Sequence, residues 1–297
     1  MLNGGFAYTE RIGARGDGFL VLEYLAGRYA HSSQAEWAAH LQEGLVRLDG
    51  RAASTRDVLR KGQTLVWLRP PWEEPEVPLA FAVLYRDSDL LAVATPSGLP
   101  TMPAGGYLEH TLLALVRRHY PEASAAHRLG RGTSGVVLFT RTREASVQVL
   151  AAWRDHRVDK AYRALVQGHP TQDTFTCETP IGPMAHPTLG SVFAASPEGK
   201  RALSRVRVLE HRENCSLVEV AIETGRPHQI RIHMAASGHP LVGDPLYAAG
   251  GGWAGDGTAL PGDEGYRLHA LRLSLMHPRT GLPLRVECAA PPILTPC

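Results

Sequence analysis

The sequence of 297 residues has few cysteines, no long apolar run and almost no net charge. Its cysteines, Cys177, Cys215, Cys288 and Cys297, lie far apart without a C-x-x-C pair, which argues against a disulfide scaffold and against a four-thiolate zinc site. No apolar stretch reaches the ~20 residues of a membrane helix, and the N-terminus shows no secretory signal pattern. These absences favour a cytoplasmic protein that does not contact a membrane.

The net charge of +2 does not by itself indicate a nucleic-acid partner. The segment 117–143 differs from the rest because it carries six arginines against one acidic residue, Glu122. Such a local excess of arginine can follow a phosphate backbone. A solvated basic surface explains it equally well, and the charge pattern alone does not decide between them.

The first 69 residues have the signals of a small independent module. A short apolar stripe around Val21 predicts one helix, and Ser33 with Glu36 three residues later is a capping box that predicts a second. Asp49 and Gly50 form a typical two-residue hairpin turn, and the segment 63–68 indicates a strand. Residues 70–78 follow as a linker, since four prolines in this short segment disfavour both helix and central strand.

From residue 79 to 297 strand and helix patterns alternate. Apolar runs predict buried strands at 90–94, 135–139, 161–166 and 216–222, and the segment 229–232 also resembles a strand. Residues 143–157 predict a helix whose apolar face consists of Val147, Leu150, Ala151 and Trp153. Ala248–Gly265 is rich in glycine and indicates a surface loop. The expected fold class is α+β, with a mixed, largely antiparallel sheet flanked by helices.

Four ordered motifs carry chemistry in the second part of the chain. The first is His-Arg-Leu-Gly-Arg-Gly-Thr-Ser-Gly at 127–135, and the second is the Lys-Ala-Tyr strand at 160–162. The third is Thr-Gly-Arg-Pro-His-Gln-Ile-Arg-Ile-His at 224–233 with Gly-Asp at 243–244, and the fourth is Leu-His-Ala at 268–270. Together they resemble the RluA-type RNA pseudouridine synthases over roughly residues 79–292, and residues 1–69 resemble the S4 RNA-binding module.

This resemblance implies an isomerase that converts uridine to pseudouridine in ribosomal or transfer RNA. It implies a monomer that requires no cofactor, no metal and no protein partner. The catalytic positions it implies are Gly130, where the family has an aspartate, Tyr162 beside the flipped base, and Arg231 as partner of the carboxylate. The positions implied for contacts with substrate RNA are Arg128, Arg131, Thr133, Arg226, His228 and Gln229.

Three positions depart from the family pattern by loss of a charged group. Gly130 replaces the aspartate, Gly132 stands at an often acidic position, and Thr95 stands where a lysine is expected. Glycine has no side chain that could act at the sugar, so another acid would have to substitute. The candidates are Asp87, Asp89, Asp155, Asp159 and Asp244.

The arginine of the third motif sets a structural requirement. On a strand, Gln229, Arg231 and His233 would share one face, with His228 on the other, which argues against a metal shared by the two histidines. A buried arginine without a partner is costly. We therefore expect an ordered anion, a water cluster, a backbone carbonyl or another acid beside Arg231.

Three functions remain open on these grounds. The first is an RNA pseudouridine synthase that stays active through a substitute acid. The second is an inactive pseudoenzyme that binds RNA with the same pocket, which the glycine at position 130 favours. The third is a protein that binds a nucleoside or nucleotide in a new small-molecule role.

Overall fold

The computed structural model describes residues 2–29, 31–186, 189–255 and 258–297. The chain divides into two compact units, Met1–Glu74 and Pro75–Cys297. The division falls within the proline-rich segment, where proline restricts the backbone to extended conformations. Of the helices in the described ranges, none has the length and apolarity to span a membrane.

The first unit packs two short helices against a small sheet. Its elements are β1 (Phe6–Arg11), α1 (Val21–Arg28), α2 (Gln34–Gln42), β2 (Val46–Leu48), β3 (Arg51–Ala52) and β4 (Thr64–Arg69), with the strands in the order β1-β4-β2-β3. The capping box predicted at the start of α2 is present, with Ser33 and Glu36 bonded to each other's backbone N–H. The hairpin turn is confirmed too, because Asp49 and Gly50 both have positive φ, at 49° and 87°.

The second unit is built on one large sheet. Its strands are β5 (Ala82–Arg86), β6 (Leu90–Thr95), β7 (Ser124–Ala125), β8 (Thr133–Thr140), β9 (Asp159–Gln167), β10 (Thr174–Cys177), β11 (Ile181–His186), β12 (Gly190–Ala195), β13 (Ser204–Arg212), β14 (Cys215–Ile222), β15 (Leu268–Met276) and β16 (Pro283–Glu287). Its helices are α3 (Leu112–His119), α4 (Arg143–Arg154) and α5 (Gln229–Ala236).

The sheet order is β10-β13-β14-β9-β15-β8-β6-β5, with β16 beside β15 and β7 beside β8. All of these pairs are antiparallel except β15 with β8. Strands β11 and β12 form a separate hairpin. The architecture is therefore the α+β fold, largely antiparallel and flanked by helices, that the sequence predicts.

Strand β8 is apolar on both faces because both faces are covered. Val136 and Leu138 pack into the core under α4, while Val137 and Phe139 pack on the opposite side with α3. The helix α4 itself corrects one prediction. Its buried face consists of Ala145, Val149 and Ala152, whereas Val147 and Leu150, predicted to be buried, are 63% and 51% exposed.

The segment at 229–232 is a helix, so the prediction of a strand there is wrong. All residues from Gln229 to Ala235 in α5 are buried, and a helix buried on all sides has no amphipathic stripe to reveal it. The alternation of polar and apolar residues then imitates a strand. Because the segment is helical, Arg231 and His228 do not lie on opposite faces of a strand. The argument against a metal shared by His228 and His233 relied on those faces and no longer holds.

The parallel contact between β8 and β15 brings two distant motifs together. Gly135 pairs with Ala270 at φ +116°, and a Cβ on Gly135 would lie 2.2 Å from the Ala270 carbonyl oxygen. Only glycine allows this approach. The close pairing places the turn that precedes β8 next to the residues that precede β15.

Candidate active site

The turn before β8 carries the first motif and is held by backbone contacts. The Thr133 N–H donates to the Gly130 carbonyl at 2.8 Å, and the Gly98 N–H donates to the Arg131 carbonyl at 2.8 Å. The Ser97 hydroxyl donates to the Gly132 carbonyl at 2.9 Å. The loop that contains Thr95 and Gly98 therefore supports the motif through its backbone and through Ser97, although the expected lysine is absent.

His127 has a structural place beside this turn. Its Nε2 accepts the Leu138 N–H at 2.9 Å, and its ring stacks on Trp153 with centroids 4.7 Å apart. Burial, with a smaller contribution from Lys160, lowers the pKa of His127 to about 3. The histidine is therefore neutral at physiological pH and joins the turn to β8.

A cavity of about 110 Å³ lies beside the turn and collects most of the predicted site. Its lining consists of Arg128, Leu129, Gly130, Thr133, Tyr162, Ile222, Arg226, His228, Gln229, Ile230, Arg231, Tyr266 and Leu268. Of the residues that the sequence singled out for the site, only Arg131 is not part of this lining. Its guanidinium instead bonds the Tyr107 hydroxyl at 2.6 Å and the Gly262 carbonyl at 2.9 Å.

The buried guanidinium of Arg231 is paired with an acid and a backbone carbonyl, two of the four kinds of partner expected from the sequence. It donates to both carboxylate oxygens of Asp244 at 2.7 Å, and to the Pro261 carbonyl at 3.2 Å. Burial alone would lower the pKa of Arg231, but the bonds to Asp244 and its charge raise it above the ordinary value. The two side chains are 2% and 0% exposed, so the charges are withdrawn from water together.

Asp244 is also bonded to the backbone of its own turn. Its Oδ1 also accepts the backbone N–H groups of Leu246 at 2.9 Å and Tyr247 at 3.1 Å. The carboxylate does not line the cavity. Its four hydrogen bonds fix the Arg231 guanidinium and the turn that follows Asp244. Proximity to Arg231 is therefore not enough to make Asp244 a substitute for the missing catalytic acid.

No carboxylate lines the cavity in the part of the chain that the structure describes. Asp87 and Asp89 lie in a separate cluster with His277, whose ligand atoms are within 4.8 Å of one another. These groups already bond Tyr85, His277 and Arg279, which accounts for their proximity without a metal.

The start of α5 fixes the polar wall of the cavity. Gln229 accepts from the Thr224 hydroxyl at 2.7 Å and the Arg226 N–H at 3.1 Å, and donates to the Leu203 carbonyl at 2.9 Å. The hydrogen bonds of the Gln229 amide therefore stabilise the Thr224–Gln229 turn. Arg226 reaches the cavity from that turn, with its Nε donating to the Arg201 carbonyl.

His228 precedes α5 in the left-handed conformation, at φ +54°. Its Nδ1 lies 2.8 Å from the Tyr247 hydroxyl, which donates to the Phe193 carbonyl at 2.6 Å. Nδ1 must therefore carry the proton and donate to that hydroxyl. Burial, followed by the charge of Arg231, lowers the pKa of His228 to about 4, so this residue faces the cavity as a neutral imidazole.

Two tyrosines line the cavity. Tyr162, on β9, is the one that the sequence singled out, and burial raises the pKa of its hydroxyl to about 12, so it keeps its proton at neutral pH. The other is Tyr266, which sequence reasoning missed. It is 4% exposed, and its ring centroid lies 4.2 Å from the Arg231 guanidinium carbon. The only signal in the sequence was its place two residues before the Leu268 motif.

Comparison with known proteins gives one consistent family. A family profile described as RNA pseudouridylate synthase matches residues 89–236. An uncharacterized RNA pseudouridine synthase of Synechocystis sp. is 40% identical over 279 residues, which cover 93% of this chain and 96% of the relative. RNA pseudouridine synthase 5 of Arabidopsis thaliana is 36% identical, with 99% and 95% covered.

A solved structure agrees with these relatives. Human RNA Pseudouridylate Synthase Domain Containing 1 superposes with a TM-score of 0.57 at 27% identity, covering 75% of this chain and 89% of the human chain. The sequence motifs, the sheet and the relatives that match nearly the whole length all point to the same group of isomerases. The chain therefore belongs to the RNA pseudouridine synthase family, in its RluA-type branch.

Proposed function

We propose that this protein converts uridine to pseudouridine in ribosomal or transfer RNA. The observation that carries the proposal is the cavity itself, in which Tyr162, Arg231 and the turn of the first motif meet although they are distant in sequence. Pseudouridine forms when the N1–C1′ bond breaks and C5 of the same base bonds to C1′. A base held in a pocket outside the stack is the geometry that this reaction needs.

Each wall of the cavity has a part in this proposal. The Tyr162 ring offers a surface on which a uracil can stack, and its protonated hydroxyl can donate a hydrogen bond to the base. Arg128 is exposed at the turn, where its guanidinium can pair with an RNA phosphate or take the place of the flipped base in the stack. Arg226, beside the cavity, can contact a second phosphate.

Residues 1–69 serve in this proposal as an S4-like RNA-binding module. The segment 32–43 holds no lysine or arginine, so α2 offers no such side chain to a phosphate. The sheet offers aromatic rings instead, since Tyr8 is 44% exposed and stacks on Trp67 with centroids 5.3 Å apart. Tyr8→Ala should weaken RNA binding through lost base stacking, while Tyr8→Phe should retain it; equal affinity of both variants would exclude this surface.

A release assay tests the proposed activity. The purified chain is incubated with RNA labelled with tritium at C5 of uridine and taken from cells that lack this protein. Because C5 loses its hydrogen when it bonds to C1′, turnover releases tritium to water. Release by the wild-type chain supports the proposal, and absence of release from total cellular RNA contradicts it.

The alternative is an inactive pseudoenzyme that binds RNA with the same pocket. Gly130, and a cavity lining without a carboxylate, favour it. It predicts salt-dependent RNA binding without tritium release. Arg128→Ala should weaken that binding, while Arg154→Ala, which removes an exposed arginine paired with Asp155 on α4, serves as the matched control.

A further inference from the structure

The space beside Gly130 is occupied by the hydroxyl of Tyr266. A Cβ built on Gly130 would lie 2.8 Å from that hydroxyl oxygen, closer than side-chain carbons approach other atoms. Gly132 continues the same contact, since its Cβ would lie 2.8 Å from the carbon that bears the hydroxyl. The two glycines therefore form a cradle for this phenol, and a side chain at position 130 excludes Tyr266 from its present place.

The phenol also lies against the positive group of the site. The Arg231 guanidinium carbon is 4.2 Å from the Tyr266 ring centroid, and the Thr133 hydroxyl is 3.3 Å from the Tyr266 hydroxyl. Asp244 holds the guanidinium in place from the other side. A fixed cation beside the ring stabilises negative charge as it develops on the phenol oxygen.

Resting on the proposed function, we infer that the Tyr266 hydroxyl oxygen acts at the sugar in place of the missing carboxylate. Two observations meet in this assignment. The phenol occupies the space that a side chain at position 130 would need. Gly130 and Gly132, which leave room for the phenol, are both positions where the family pattern has a side chain. Tyrosine is a known nucleophile at sugar carbons in enzymes that lack the usual carboxylate.

The steps balance within the isomerisation. The Tyr266 oxygen bonds to C1′ as the N1–C1′ bond breaks, and the phenol proton passes to N1 of the released uracil. The base then turns within the pocket. C5 bonds to C1′ as the bond from the Tyr266 oxygen to C1′ breaks, and the proton from C5 returns to that oxygen. The product keeps the proton on N1, and the enzyme regains its phenol.

Other groups in and around the cavity are less suited to this role. The Tyr162 hydroxyl does not reach the space beside Gly130, where the Tyr266 hydroxyl lies, and Asp244 lies outside the cavity lining and already accepts four hydrogen bonds. Among the described residues, the hydrogen-bonded neighbour of the Thr133 hydroxyl is the phenol itself, which is not a base. An aliphatic hydroxyl without an adjacent base is a weak nucleophile.

The test removes one oxygen and then returns a carboxylate to the same place. Tyr266→Phe keeps the ring in its cradle and over Arg231 but lacks the hydroxyl. We expect tritium release from C5-labelled RNA to fall by about 100-fold or more, as for loss of a catalytic group, with RNA affinity changed by less than about 3-fold. The double variant Gly130→Asp with Tyr266→Phe should regain at least about 10-fold of the lost rate, because the carboxylate enters the vacated space.

A matched double variant separates chemistry from packing. Gly130→Ala with Tyr266→Phe adds the same Cβ without a carboxylate and should stay as slow as Tyr266→Phe alone. Equal recovery by both double variants would overturn the inference, and so would turnover by Tyr266→Phe within about 3-fold of the wild type. Absence of turnover in the wild-type chain would instead overturn the proposed function, and the assignment of Tyr266 with it.

Discussion

Replacing Asp244 by asparagine should strongly destabilise the second unit. The change keeps the size of the side chain but removes its charge, and the new amide NH₂ group would face the Arg231 donors that now bond both oxygens at 2.7 Å. The arginine would remain as a buried charge, 2% exposed. Removing one partner of a buried ion pair costs about 3–5 kcal/mol in the free energy of unfolding. For a unit of this size that loss lowers the melting temperature by about 6–20 °C.

Calorimetry of the full chain measures this effect. The transition of the second unit should move down by that amount, and hydrogen exchange of the α5 amides should become faster, because α5 carries Arg231. Asp155→Asn is the matched control, since Asp155 pairs with Arg154 and Arg157 at the surface and such pairs contribute little. A decrease of less than about 1 kcal/mol for Asp244→Asn would contradict the view that this pair holds the site together.

Three further predictions follow from single contacts. Burial holds the pKa of His127 near 3 in the folded chain, below its ordinary 6.5, so the unfolded chain takes up the proton first as the pH falls. This contribution to the free energy of unfolding is complete above pH 6.5 and is lost toward pH 3. Between pH 7 and pH 5, urea denaturation should show a decrease in the unfolding free energy that is about 2 kcal/mol smaller for His127→Gln than for the wild type. Gly135→Ala should fail to give a folded second unit by circular dichroism, because its Cβ would lie 2.2 Å from the Ala270 carbonyl oxygen; a native-like spectrum would contradict the reasoning. Thr142→Ala should lower the unfolding free energy by about 1 kcal/mol in urea, since the Thr142 hydroxyl caps α4, and Thr142→Ser should restore most of it.

Local signals in the sequence were sufficient where a residue's preference depends on its immediate neighbours. The capping box at Ser33, the hairpin turn at Asp49 and the buried strand β8 could all be predicted, because caps, turns and continuous apolar runs have short-range causes. The failures share a different cause. Val147 and Leu150 are apolar residues on an exposed helix face, and α5 is buried on every side, so neither obeys the amphipathic pattern on which the predictions relied.

The sequence predicted which residues form the candidate site better than it predicted the contacts between them. The motifs named Gly130, Tyr162 and Arg231, and the cavity brings these three together. A partner for Arg231 was expected, which could be an anion, a water cluster, a backbone carbonyl or another acid. That Asp244 supplies it depends on the turn after α5, which aims both carboxylate oxygens at the guanidinium. No spacing in the chain encodes that geometry.

The sequence by itself determined the family, the α+β fold class and the absence of a carboxylate at position 130, because each depends on the identity and order of residues. The tertiary structure alone decided what stands in that position. Gly130 and Tyr266 are 136 residues apart and meet because β8 and β15 pair in parallel around Gly135, at a distance that only glycine permits. Close packing between distant segments is a property of the folded chain, and here it places a phenol where the motif lacks an acid.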